Sequence, residues 1–172
     1  MDRYRKSAVE AFEKAETLVR AWLEEECITR VDVYLNGLGD VGDTRCRLTT
    51  DGERKSVHID RNAGSAINKL RGMQALSGRG AWFYSHLWME MPEGVLHQES
   101  DWMCEPDMGF DEVPLGLCKT ELDRYPRDQE FIPDWLRYKV ERWRLERGPV
   151  VARRVAHLEE EFRLEGGKYR YP

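Results

Sequence analysis

Apolar positions in the first 26 residues recur every three to four places: Tyr4, Ala8, Val9, Phe12, Ala15, Val19, Trp22 and Leu23, with Glu and Lys opposite. A stripe of that period marks an amphipathic helix with one face committed to a core, and it predicts a helix over residues 3–26. The period then changes to two. Val31, Val33 and Leu35 alternate with polar residues, as do Cys46 with Leu48 and Val57 with Ile59, and the breaks between them are NGLGDVGD and TDGE. This predicts three short strands in a meander, with Asp51-Gly52 as a hairpin turn, because both central residues of a type I′ turn need positive φ. Ala66, Ile67, Leu70 and Met73 restore the helical period over 63–76, stopped by SGRG. Residues 82–91 and 95–102 flank Pro92-Glu93-Gly94 and predict a long hairpin. Residues 104–116 read as a loop, and 117–125 as a short helix ended by Pro126. A further helix starts near Pro133 and Asp134, with Trp135, Leu136, Val140 and Trp143 on its apolar face. Gly148 and Pro149 should break it before a last helix carrying Val151, Val155, Leu158 and Phe162. The order helix, strands, helix, strands, helices implies an α+β fold: an antiparallel sheet of about five strands, helices packed on one face, and residues 1–172 as a single domain.

Composition narrows the class. The 172 residues are 41% apolar and 34% charged with six Trp, which fits a chain able to build a core and excludes disorder. No apolar run approaches the ~20 residues of a membrane span, and the N-terminus lacks the apolar segment of a secretory signal. A cytoplasmic location is expected. Cys27, Cys46, Cys104 and Cys118 are dispersed, without a CxxC pair, so reduced thiols are expected.

Charge is unevenly placed. Residues 1–79 carry 14 Lys+Arg against 13 Asp+Glu, residues 80–118 none against 8, and residues 119–172 carry 13 against 11. The net negative charge therefore sits in a window that also holds Trp82, Trp88 and Trp102, a combination suited to a basic partner.

Other chemistry is weaker. Gly37, Gly39 and Gly42 match GxGxxG, but a predicted strand follows where a dinucleotide site needs a helix, so a glycine-rich turn and no cofactor are expected. His58, His86, His97, Cys46 and Cys104 lack zinc-site spacing, so no metal is expected. Glu99, Asp101, Glu105, Asp107, Asp111 and Glu112 fit a partner-facing acidic surface, with a small carboxylate-dependent hydrolase as an alternative. Arg137, Lys139, Arg142, Arg144, Arg147, Arg153 and Arg154 make the late helices basic, so a nucleic-acid-binding module is a second alternative. Interleaved Glu141 and Glu146 favour a solvated helix paired with local acids.

The segment WFYSHLWMEMPEGVLHQESDWMCEPDM, followed by CKTELDRYPRDQEFIPDWL, resembles a family of small bacterial immunity proteins. The elements carrying the likeness are Trp82, the turn at Pro92 to Gly94, Glu105-Pro106, Glu121-Leu122, Tyr125 to Arg127, and Ile132 to Trp135. Within that family the chain is similar to the immunity factor of the tuberculosis necrotizing toxin, an NAD(P)-glycohydrolase. The resemblance implies an antitoxin and not an enzyme, bound one-to-one to a cognate NAD(P)-glycohydrolase toxin domain and obstructing its NAD pocket, with no nucleic acid or membrane partner. The acidic, aromatic window would place the contact on His97, Gln98, Glu99, Ser100, Asp101, Trp102, Glu105 and Asp107. Alternation puts Gln98, Ser100 and Trp102 on one side and His97, Glu99 and Asp101 on the other. Gln98, both donor and acceptor, is the candidate for entering the toxin's pocket.

Overall fold

The computed structural model describes residues 2–109 and 111–164. Its elements in chain order are α1 (Asp2–Glu25), β1 (Arg30–Leu38), β2 (Val41–Thr50), β3 (Glu53–Val57), α2 (Arg61–Met73), β4 (Tyr84–Glu90), β5 (Leu96–Asp101), α3 (Leu115–Arg124), a 3-10 turn (Gln129–Phe131) and α4 (Asp134–Leu164). The strands form one antiparallel sheet in the order β3-β2-β1-β4-β5. A three-stranded meander and a hairpin thus meet along β1 and β4, and β1 is the central strand. The α+β architecture expected from the periodicities is the one observed.

Alternation within the strands decides which side is buried. Val31, Val33 and Leu35 of β1, Cys46 of β2, Leu87 and Met89 of β4, and Leu96 of β5 point to one face. Ala15, Val19 and Leu23 of α1, with Ala63, Ala66, Ile67 and Leu70 of α2, close over them. A second apolar cluster gathers Leu38, Phe83, Val113, Cys118, Leu136 and Val140 where α3 and α4 meet the end of the sheet. Trp135 packs edge-on against Phe83 at 5.0 Å and donates to the Met103 carbonyl at 2.8 Å.

Local signals explain the ends of the elements. Cys27 terminates α1 with φ 53°, while the Ile28 amide donates back to the Leu23 carbonyl at 2.9 Å, the double-back geometry of a left-handed helix cap. Asp60 caps α2 by accepting from the Asn62 and Ala63 amides. Asp51 and Gly52 both have positive φ, as a type I′ turn requires. NGLGDVGD is not a break: β1 continues to Leu38 and β2 begins at Val41, so the turn shrinks to Gly39 and Asp40. The glycines have packing roles there, since a Cβ at Gly37 would stand 2.6 Å from the Arg71 side chain. The four cysteines are free thiols.

One boundary is a correction. The expected break at Gly148 and Pro149 is absent, and α4 runs unbroken from Asp134 to Leu164. Pro149 removes the amide that would bond the Leu145 carbonyl. Residues 144–147 and Val150 are exposed, so water can take that carbonyl and the helix survives the loss. The side chains of Tyr4, Val151, Val155, Leu158 and Phe162 lie outside the described ones.

Charge is also buried. Glu121 of α3 is fully buried between Arg71 of α2, at 2.7 Å, and Arg127, at 3.6 Å. The same carboxylate accepts from the Gly39 amide at 2.7 Å. Arg71 donates to the Trp82 carbonyl at 2.8 Å and lies over the Tyr125 ring at 4.7 Å. Arg127 donates to the carbonyls of Ala81 and Trp102, with Phe83 beneath it at 4.2 Å. Burial pulls the Arg127 guanidinium below its ordinary value, and Glu121 opposes that pull. Glu121, Tyr125 and Arg127 all belong to the ELDRYPR segment, and their contacts lie within the fold. Glu121→Ala leaves two buried guanidiniums without their shared counter-charge and should cost about 3–5 kcal/mol. Urea denaturation measures it; a loss below about 1 kcal/mol would mean that the carboxylate is dispensable.

Candidate functional site

The sheet's second face follows from the same alternation read in the opposite phase. Arg30, Asp32, Tyr34 and Asn36 of β1 point away from α1 and α2, beside Arg45 and Arg47 of β2 and Tyr84, His86, Trp88 and Glu90 of β4. His97, Glu99 and Asp101 of β5 complete it, paired across from Trp88, His86 and Tyr84. Among the described residues no helix packs on this side, and most of these side chains are half-buried or exposed.

Rings run along the face. Tyr34 stacks on His86 with centroids 4.5 Å apart, His86 meets Trp88 at 4.9 Å, and Trp88 stacks on His97 at 5.2 Å. A ladder crossing β1, β4 and β5 offers a broad amphipathic surface whose side chains are braced by one another.

Asp32 sits at the middle of the face with its carboxylate buried. Arg30 binds it through two nitrogens at 2.9 and 2.7 Å, His86 Nε2 lies 3.0 Å away, and Arg54 of β3 lies at 3.3 Å. The two-pronged contact from Arg30 holds the Asp32 carboxyl down from its ordinary value of 3.8 to about 2, against the opposing effect of burial. Arg30 also pairs with Glu90. The ring of His86 is thereby oriented at one end by a carboxylate and on one face by Tyr34.

The residues expected to meet a partner divide between two sides. His97, Glu99 and Asp101 lie on the open face. Gln98 and Ser100 lie on the helix side: Gln98 exchanges amide hydrogen bonds with Gln74 at 2.7 and 2.9 Å and donates to Ser85 and Ser100 at 3.0 Å. Gln74 in turn accepts from the Trp82 indole at 2.9 Å. Both ends of the half-buried Gln98 amide are therefore bonded within the fold. Trp102 packs against the main core with the Arg79 guanidinium 5.9 Å from its ring centre, so it too is off the open face. The hairpin tip does not stand free either. Arg20 donates to the Gly94 carbonyl at 2.8 Å and Glu16 accepts from the Leu96 amide at 3.1 Å, which pins the turn to α1.

Glu105 and Asp107 follow in the loop at the end of the face, but they are paired: Asp107 with Arg45 at 2.9 Å and Glu105 with Lys139 at 3.2 Å. Glu112 pairs with Arg142 at 2.8 Å. Half of the acidic window is thus neutralised by cations from distant segments. Glu93, Glu99 and Asp111 have no cation among the described residues, and Asp101 accepts from the Met103 and Cys104 amides. The basic late helix is correspondingly occupied at Arg137, Lys139 and Arg142.

Tyr34, Asp32, His86 and Trp88 were absent from the expected contact set. Their signal was the counter-phase of the strands: residues that alternate with Val31, Val33, Leu35, Leu87 and Met89 must share the other face.

No group of three His, Cys, Asp or Glu able to hold a metal is found among the described residues. Cys104 beside the face has its thiol pushed up to about 11 by burial, so it stays protonated at neutral pH.

Because the Asp32 carboxyl titrates lower in the folded protein than in the unfolded chain, its contribution is in place above about pH 4. It is lost as pH falls towards 2. The shift corresponds to about 2 kcal/mol. Asp32→Asn should therefore lower stability by about that amount at neutral pH, with the gap to the parent closing between pH 4 and 2 in denaturation curves. A gap that stays constant over this range would mean that the Arg30 contact is not what holds the carboxylate.

Comparison with family models and with curated proteins finds no match to this chain.

Proposed function

We propose that the chain is a stoichiometric inhibitor: an immunity protein that binds an NAD(P)-hydrolysing toxin domain one-to-one and blocks its NAD pocket. The observation that carries this reading is the open sheet face, where a ring ladder lies beside acids that lack a cation. Partially exposed Tyr and Trp supply anchoring area at small entropic cost. Glu99 and Asp101 adjoin the ladder, and carboxylates in that position favour approach to a cleft that is cationic because it receives a pyrophosphate. The likeness to immunity proteins over residues 82–135 supports the same reading. The geometry shifts the emphasis within the expected contact set: His97, Glu99 and Asp101 remain in it, Trp88, Tyr34 and His86 join it, and Gln98, Ser100 and Trp102 become supports behind the strand.

Titration of a purified NAD(P)-glycohydrolase toxin domain, encoded beside this chain, provides the test. Hydrolysis should fall linearly to zero at one equivalent, while the chain alone leaves NAD intact. Trp88→Ala should speed dissociation at least 10-fold, and Glu99→Lys should slow association and flatten its salt dependence. Unchanged hydrolysis at molar excess would overturn the reading, and unchanged kinetics for both variants would move the interface off this face.

A further inference from the structure

At the end of the open face nearest the loop that follows β5, a cavity of about 410 Å³ is floored by Tyr34, Asn36 and Tyr84, with Arg45 and Arg47 on one rim and Asp107 on the other. Its carboxylates and Arg45 are engaged in ion pairs, whereas among the described residues Arg47 and the two phenols are not. Asp107 accepts from Arg45 at 2.9 Å and from the Gly109 amide at 3.1 Å. Glu105, on the same wall, is taken by Lys139 at 3.2 Å. Arg47, by contrast, makes no ion pair among the described residues and lies 5.7 Å from the centre of the Tyr34 ring. Neither the Tyr34 nor the Tyr84 hydroxyl has a hydrogen-bond partner there.

Asn36 is the most constrained of the set. It is 7% exposed, and its Oδ1 accepts from the Asp107 amide at 3.2 Å. That bond fixes the orientation of the amide, and its NH₂ has no acceptor among the described residues. Burial raises the Tyr84 phenol further above its already high ordinary value, so it remains a donor at neutral pH. A nearly buried amide donor, two phenols and a guanidinium converging on one concavity ask for a ligand made of acceptors. A cation would find its carboxylates already engaged.

We propose that this cavity is a binding site for a small anion bearing a carboxylate or a phosphoryl group, held by Arg47, Asn36 and the hydroxyls of Tyr34 and Tyr84. A guanidinium with free nitrogens suits a planar or tetrahedral oxyanion, and the neutral donors add direction to its charge. The proposal is independent of the immunity reading, since it requires no protein partner.

Isothermal titration of the full chain with inorganic phosphate, with succinate and with chloride at matched ionic strength tests it. Phosphate or succinate should saturate in the millimolar range or tighter, and chloride should not. Whichever of the two saturates identifies the headgroup. Arg47→Gln should weaken that binding at least 10-fold, and Tyr84→Phe, which removes one exposed-edge hydroxyl and keeps the ring, about 3-fold. Lys69→Gln, in the separate groove beside α2, should leave it unchanged. Saturation by neither anion, saturation unaffected by Arg47→Gln, or an equal loss from Lys69→Gln would each overturn the site.

Discussion

The end of the sheet depends on one carboxylate. Glu121 enters from α3 and meets an arginine from α2 and another from the segment after α3, and each arginine is fastened in turn to main-chain carbonyls just before β4 or after β5. A buried charge without partners would cost several kcal/mol, so none of the three could occupy its place alone. Because the partners come from four segments separated by tens of residues, the cluster can be satisfied only when β1, α2, α3 and the ends of the β4–β5 hairpin are all in position. It also explains why Gly37 and Gly39 are glycines: one makes room for Arg71, the other presents its amide to Glu121 with φ 61°.

The same stretch of chain closes the end of the sheet. ELDRYPR supplies a carboxylate, a half-buried ring and a guanidinium, and the tryptophan of IPDW packs α4 against Phe83. Such a motif reports a way of closing the sheet's end. These side chains point inward and leave the open face of the sheet free of the motif.

The periodicities made much of this legible. Val31, Val33 and Leu35 announced both faces of β1 at once, and Asp51-Gly52 announced the turn that fixes the β2–β3 register. What alternation cannot supply is the pairing of β1 with β4, whose partners Tyr34 and His86 are far apart in sequence, or the choice of face that α2 covers. Alternation does place Gln98 and His97 on opposite sides of β5, and they lie so. Pro149 misled, because a proline's missing amide matters most where the freed carbonyl is buried, and α4 is exposed there.

Charge counting along the chain met a similar limit. A window with eight carboxylates and no cation looks like a strongly negative surface, yet Arg30, Arg45, Lys139 and Arg142 reach into it from sequence-distant elements. Exposed pairs of this kind contribute little stability individually. Their consequence is for the character of the face: they leave Glu99 and the ring ladder as the distinctive features in its middle, and they engage Glu105 and Asp107 beside Asn36. The same local pairing that weakens the case for a uniformly acidic surface therefore creates, a few ångströms away, a recess whose unmet hydrogen bonds are donors. Both features arise from one redistribution of counter-ions, and neither is legible in net charge.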